Sequence, residues 1–364
     1  MTCGGHTAEG FEEVAAEFER NLAERGDTGA LFCAVRGDEV LADLWGGTAG
    51  EDTLHVIFSG TKGVVAVCML MLRERGLLNF DAPVERYWAG FGKPAIRVRD
   101  VLSHTARLPG IDRPLTFEEF ADRETMAAAL ERQPPSEDPR AGFAYHAFTY
   151  GWLCGELVRR TDGRPVARFI EEEIARPLDL ELWLGLPEAL EPRVATLELA
   201  ATWPSSPAND PAAHARDPLL RSIWGNPATF SRAGFAWNGR AYHAAEIPGA
   251  SGIASARSVA RLYANLDRLL SPDSLALAGT TFSEGVDGVG DSTAHFGPGF
   301  QLQTERMGLG PVSGAFGHGG AGGSRHGRWP DEGVGFSYAM SVMRDDAEID
   351  PRPAALLAAV HRAL

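Results

Sequence analysis

Lysine is nearly missing from this chain. Its 34 basic residues include only two lysines, Lys62 and Lys93; the remaining 32 are arginine. A guanidinium keeps its proton at any working pH, whereas an ammonium can lose it. A chain that uses arginine for generic cations marks Lys62 as a position where an ammonium itself is wanted. Cysteine is scarce as well. Cys3, Cys33, Cys68 and Cys154 form no C-x-x-C pair, so neither a zinc knuckle nor a disulfide framework is expected, and the thiols suit a reducing compartment. The longest apolar run, Val64 to Leu72, is about half of what a membrane span needs. Residues Met1 to His6 contain no apolar signal region, so no signal peptide and a cytoplasmic location are expected. No basic cluster offsets the net charge of −15, which argues against nucleic acid and anionic membranes as partners.

Several common catalytic signatures are also absent. There is no H-E-x-x-H, and His318 and His326 lack a carboxylate partner at metal spacing, so no metal or other cofactor is expected. Ser59 has Ile57 before it and Thr61 after it where a G-x-S-x-G elbow needs glycines. The glycine-dense run Gly317 to Gly323 lacks the Lys-Ser/Thr of a phosphate-binding loop.

What is present is a globular composition of 44% apolar and 23% charged residues over 364 positions. That is enough for a large core in one compact unit with two interleaved lobes. Phe11, Val14, Phe18 and Leu22 repeat at helical spacing and predict an amphipathic helix ending near Gly26. Residues 31–35 and 40–45 read as a β-hairpin, and Val64 to Leu72 as a buried helix. A second apolar helix starts at Thr149, with Tyr145 in the loop before it, and further helices are expected over 166–174 and 256–270. Residues 200–245, rich in Pro, Ala, Asn and Trp, read as long loops and short helices forming a loop-rich wall or lid. Strands are expected over 299–303, 315–324 and 335–343, and a closing helix over 352–364. Strands at both ends with helices between predict a sheet built from both termini: residues 1–58 and 246–364 form a sheet lobe and 59–245 a mainly helical one.

The stretch with the most chemistry is Phe58-Ser59-Gly60-Thr61-Lys62-Gly63. Residues three apart share a helix face, so Ser59 Oγ and Lys62 Nζ are expected to meet at the helix start. A serine hydroxyl needs a proton acceptor to become a nucleophile. Lysine ordinarily keeps its proton to about pH 10.4, but burial and the positive end of a helix both lower that value.

Three motifs then stand in order: Ser59-x-x-Lys62, Tyr145-His146-Ala147 and His318-Gly319-Gly320. With Asp100 to Thr105, Leu108-Pro109-Gly110 and Pro177-Leu178-Asp179-Leu180 around them, the chain resembles the serine β-lactamase and penicillin-binding-protein superfamily. The likeness is to its class C branch and the family VIII carboxylesterases, and it covers most of the chain. It implies an α/β (α+β) fold, an antiparallel sheet from both chain ends flanked by helices with an inserted mainly helical region. It also implies Ser59 as acyl-accepting nucleophile, Lys62 and Tyr145 sharing the proton transfers, and an oxyanion hole of the Ser59 and Ala321 backbone N–H groups. Substrate contacts would come from His318, Gly319, Gly320 and Ala147. Which of Lys62 and Tyr145 is the base stays open. Penicillin-active relatives carry Asn at the place of Ala147 and Lys-Thr-Gly at the place of His318-Gly319-Gly320. Their absence favours ester or thioester chemistry over β-lactam hydrolysis, and the expected partner is a small-molecule ester, thioester or amide substrate. The expectation is a carboxylesterase; an acyltransferase using the same acyl-enzyme is the alternative, and a non-catalytic binding protein on this fold a third. Oligomeric state is left open.

Overall fold

The computed structural model describes residues 3–227, 236–290, 292–304, 308–345 and 349–364. Residues 228–235 of the expected lid, and Met1 and Thr2 of the leader reading, lie outside them. Nine antiparallel strands form the main sheet. Across it the order is Cys3–Thr7, Glu39–Gly47, Gly29–Arg36, Val334–Met340, Arg325–Trp329, Phe316–Gly319, Gln301–Leu302, Thr293–Phe296 and Ser283–Val286. The centre of the sheet therefore joins the two ends of the chain, with Cys33 opposite Ser337. Both faces are covered, which is why Gly29–Arg36 reads as an unbroken apolar run rather than an alternating one. Phe32 and Ala34 pack in the core that holds Val14 and Phe18 of the Glu12–Ala23 helix and Leu356 of the Pro351–Ala363 helix. Leu31, Cys33 and Val35 point the other way, onto Ala256 and Ala260 of the Ala256–Ala264 helix. That helix comes so close that a Cβ on Gly335 would lie 2.2 Å from the Ala260 carbonyl.

The Gly60–Glu74 helix is buried from Gly60 to Leu72. Helices apolar on all sides belong inside a protein, and this one runs beside the Thr149–Asp162 helix, itself buried from Thr149 to Val158. A small second sheet, His55–Phe58, Gly252–Ala254 and Leu182–Leu184, holds the entry to it. The chain turns from strand to helix at Phe58, whose φ is 47°. A bulky residue in that region costs on the order of 1–3 kcal/mol. Thr61 secures the turn: its hydroxyl donates to Phe58 O at 2.6 Å and accepts from Gly252 N at 2.9 Å.

A buried ion pair ties the C-terminal helix to the rest. Arg352 meets Asp27 at 2.7 Å with both side chains fully buried, and Tyr338 donates to the same carboxylate at 2.6 Å. Arg352 also donates to the carbonyls of Val342 and Gly322.

Some elements depart from expectation. The helix expected over 256–270 stops at Ala264, and Leu266–Arg268 is a separate 3-10 turn. The break falls at Asn265, whose amide bonds Gly37 O and Arg261 O. The helix over 166–174 is α-helical only to Ile170 and then widens into a π-turn, Glu171–Ala175. Strands Cys3–Thr7 and Arg325–Trp329 were not expected. The first lies under Trp45, where a Cβ on Gly4 would come within 2.4 Å of the indole nitrogen. Within 200–245 the expected short helices do occur, at Pro211–Arg216, Pro218–Trp224 and Arg240–Ala244. The four cysteines are unpaired.

Candidate active site

Ser59 stands at the N-terminus of the buried helix, in its first-turn geometry. Lys62 Nζ lies 3.0 Å from Ser59 Oγ and donates to Gly249 O at 2.7 Å. No carboxylate forms an ion pair with Lys62 among the described residues, and the side chain is fully buried. Burial pushes its pKa well below the ordinary lysine value. Burial thus favours the neutral amine beside a hydroxyl, the form that a general base for that hydroxyl requires.

Tyr145 arrives from the loop before the Thr149–Asp162 helix. Lys62 Nζ lies 5.0 Å from its ring centroid. Burial raises the phenol pKa; interaction with the Ser59 hydroxyl pulls it back, and the charge of Asp287 raises it further. The net direction is upward, so the phenol keeps its proton. Tyr145 is placed by its neighbours: its N–H donates to Asp287 Oδ2 at 2.9 Å, and its ring stacks on Phe296 and Trp224. Tyr150, the nearby tyrosine, is fully buried, and its hydroxyl meets the Lys62 carbonyl at 3.5 Å and the Cys154 thiol.

Gly319, Gly320 and Ala321 line the cavity that Ser59 opens into, at the end of the Phe316–Gly319 strand. Gly320 is sterically required: a Cβ there would sit 2.3 Å from Ser324 Oγ and 2.6 Å from Ile57 O. Gln301 fixes the strand by accepting the Gly319 N–H at 2.7 Å. Ala147 lines the same cavity with a methyl group only.

His318 is placed differently from expectation. It is fully buried behind Tyr145 and is not on the cavity wall. Its Nδ1 lies 2.7 Å from Gly319 O, which only accepts, so Nδ1 carries the hydrogen and Nε2 faces the Tyr145 hydroxyl at 3.4 Å as an acceptor. The imidazole is backed by strand and ring on all sides and so reaches the phenol rather than a ligand. His104 also lies behind Tyr145, 4.7 Å between ring centroids. Its Nδ1 accepts from His146 N at 3.0 Å, across to the tyrosine loop rather than within its own.

Sequence reasoning did not single out Gly249, Asp287, Gln301 or Arg325. Asp287 heads an Asp-Gly turn, accepting also from Val289 N and Gly290 N, a turn signature that marks a loop but not its distant partner. The cavity holds about 310 Å³ and is mostly apolar, with Ala147, Phe148, Trp224 and Phe296 around Ser59. A second cavity of about 610 Å³ adjoins it at Gly320, Ala321 and Arg325.

The beta-lactamase family pattern matches residues 14–359. This chain belongs to that family. It is 33% identical over 335 residues to the esterase/beta-lactamase LipL of Mycobacterium tuberculosis (strain ATCC 25618 / H37Rv), covering 86% of this chain and 76% of that protein. The fold matches a penicillin-binding-protein homologue from Caulobacter crescentus with a TM-score of 0.89 and 31% identity over the whole of both chains. It matches a family VIII carboxylesterase equally well, with a TM-score of 0.89 and 28% identity, again over both full lengths. Within this beta-lactamase-family fold no helix among the described residues is long and apolar enough to cross a membrane.

Proposed function

We propose that this chain hydrolyses small carboxylic esters through a covalent acyl-enzyme on Ser59. The enzyme is a serine hydrolase of the esterase type, as its esterase and carboxylesterase relatives indicate. The observation that carries the Ser59 assignment is the buried amine of Lys62, 3.0 Å from Ser59 Oγ and without an ion-pair partner among the described residues. Lys62 takes the serine proton as Oγ attacks the ester carbonyl. The N–H groups of Ser59 and Ala321 hold the oxyanion. Tyr145, kept protonated by burial, gives its proton to the departing alkoxide as the C–O bond breaks. The Lys62 ammonium then reprotonates the phenolate. In the second half a water molecule gives a proton to Lys62 and attacks the acyl carbon. The bond to Oγ breaks, Ser59 regains its proton from Lys62, and the acid leaves.

Ala147 and the glycine pair support an ester over a β-lactam, since none offers the amide or ammonium that would hold a lactam's side chain or carboxylate. Intact-protein mass spectrometry after brief exposure to p-nitrophenyl acetate and to a fluorophosphonate tests the reading, on wild type and Ser59→Ala. An adduct on wild type alone is expected. No adduct on folded wild type, or an equal adduct on the variant, counts against Ser59. Transfer of the acyl group to an amine or alcohol would use the same intermediate and shows as a second product when such an acceptor is added.

A further inference from the structure

Arg325 opens the strand Arg325–Trp329 directly opposite Gly319. Its guanidinium lies against that glycine, so that a Cβ on Gly319 would come within 2.7 Å of Nη1. The residue lines both cavities, at the point where they join beside Gly320 and Ala321. The guanidinium makes one hydrogen bond among the described residues, from Nη1 to the Ser324 carbonyl at 2.9 Å. Arg328, three residues along the same strand, is different: its Nη1 is shared by the carbonyls of Tyr263 and Ala264, both at 2.7 Å, away from the cavities.

No acid among the described residues pairs with Arg325, and the nearby carboxylates are already engaged. Asp350 meets Arg352 at 2.6 Å. Asp345 accepts from the N–H groups of Ser205 and Ser206 and from the Asn209 amide. Asp287, on the opposite wall, accepts from three backbone N–H groups. Arg344, the other cation of the second cavity, is bonded to the Arg25 carbonyl. Arg325 thus keeps Nε and Nη2 without a partner among the described residues, at the mouth of the Ser59 site. Burial lowers its pKa, yet a guanidinium stays charged. Asp350, on the wall of the second cavity and held by Arg352, acts on Arg325 through charge alone, without a direct ion pair; a half-buried guanidinium in that position gains from an arriving anion, and arginine meets a carboxylate through two parallel hydrogen bonds.

We infer that Arg325 recognises a free carboxylate on the substrate, so that the preferred ester has a small apolar part in the cavity around Phe148 and Phe296 and an acidic part reaching the second cavity. This rests on the acyl-enzyme reading above.

The test uses the full chain and two pairs of esters. Mono-4-nitrophenyl glutarate carries its carboxylate on the acyl side and 4-acetoxybenzoate on the alcohol side; each is compared with its own methyl ester, by release of the phenol. In wild type at least one acid should exceed its methyl ester in kcat/KM by about tenfold or more, as hydrogen bonds to charged groups allow, with the preference shrinking in high salt. In Arg325→Gln that ratio should fall towards one, and in Arg325→Lys it should be partly kept. Because each readout is a ratio within one protein, a change in overall activity does not obscure it. Should Arg325→Gln fail to fold, Arg325→Lys and the wild-type salt dependence decide. Turnover of the methyl esters without preference for either acid, or a preference unchanged in the variants, overturns the inference and leaves the esterase reading standing. No turnover of any ester and no adduct on Ser59 overturns both.

Discussion

Replacing Lys62 by methionine tests the proposed base apart from its surroundings. The amine is fully buried and touches Ser59 Oγ at 3.0 Å and Gly249 O at 2.7 Å. Methionine fills a similar volume, and volume-conserving changes are tolerated best. The cost to the fold is the Gly249 carbonyl left without its donor, about 1–3 kcal/mol, against a folding free energy of roughly 5–15 kcal/mol. The variant should therefore remain folded. The kinetic cost should be larger. A positioned general base contributes roughly 10²–10⁴ in rate, which at 1.36 kcal/mol per tenfold is about 3–5 kcal/mol of activation free energy. The assay is kcat/KM for p-nitrophenyl acetate over a pH series, with a thermal melt of each protein. In wild type the amine must be neutral, so activity falls as pH drops through the Lys62 pKa. Burial lowers that pKa, so the active plateau should extend well below the pH at which an ordinary lysine protonates. The variant should lose both the rate and that acid limb. A folded Lys62→Met within tenfold of wild type, or one that keeps the same acid limb, would falsify the assignment and move the role to Tyr145.

Other outcomes follow from the same contacts. Tyr145→Phe keeps the stacking on Phe296 but removes the proton donor, so kcat should fall about 10²-fold with a smaller change in KM; an unchanged kcat would remove the phenol from the mechanism. Arg352→Met leaves the buried Asp27 without its cation, with Tyr338 as its remaining donor, which should cost about 3–5 kcal/mol in urea unfolding. It also frees the Gly322 carbonyl next to Ala321, so the folded fraction should lose activity as well, and a loss of stability alone would disconnect that anchor from the oxyanion loop. His55 and His146 are buried, and burial lowers the pKa of each to about 4. Their folded values lie below the unfolded value of about 6.5, so the unfolded chain binds more protons. Their contribution is fully present above about pH 6.5 and is lost as pH falls towards 4, at roughly 1.4 kcal/mol per unit per histidine. Both His55 nitrogens lack a partner among the described residues. His55→Leu should flatten the slope of stability between pH 6.5 and 4, and identical slopes in the two proteins would contradict this.

The legible parts of the fold were those with long local patterns. The unbroken run Val64 to Leu72 marked a buried helix because only an interior helix is apolar all round. The hairpin of Gly29–Arg36 and Glu39–Gly47 announced itself by two apolar runs around a polar turn. Short strands were illegible for a physical reason. Cys3–Thr7 has the sequence Cys-Gly-Gly-His-Thr, with no strand-forming pattern; it pairs because its glycines fit beneath Trp45. Likewise His55–Phe58 and Gly252–Ala254 are strands because they meet each other across almost two hundred residues. The orientation of His318 was illegible on the same grounds. Its position on a strand edge was readable, but that its ring turns inward to Tyr145 depends on the loop at 145 being there.

The two lysines show why Ser-x-x-Lys is weak evidence in a sequence and strong evidence in this fold. Both are buried, and burial lowers the pKa of each. Lys93 nevertheless donates to three carbonyls, Phe91, Leu130 and Glu131, at 2.7 to 2.9 Å, and the charge of Glu131 favours its protonated form. That is a site for an ammonium with all three hydrogens used. Lys62 has one carbonyl and a hydroxyl, with no carboxylate in ion-pair reach among the described residues. Only the Gly249 carbonyl must accept from it; the Ser59 hydroxyl can donate as well, so a neutral Lys62 can turn its lone pair to Ser59. The difference is made by groups far away in the chain: Gly249 supplies the single acceptor, and Tyr145 and the Thr149–Asp162 helix exclude water. A lysine one turn into an exposed helix would stay charged and could not take a proton from the serine beside it. The motif supplies the spacing, and the tertiary structure supplies the burial that the proposed base needs.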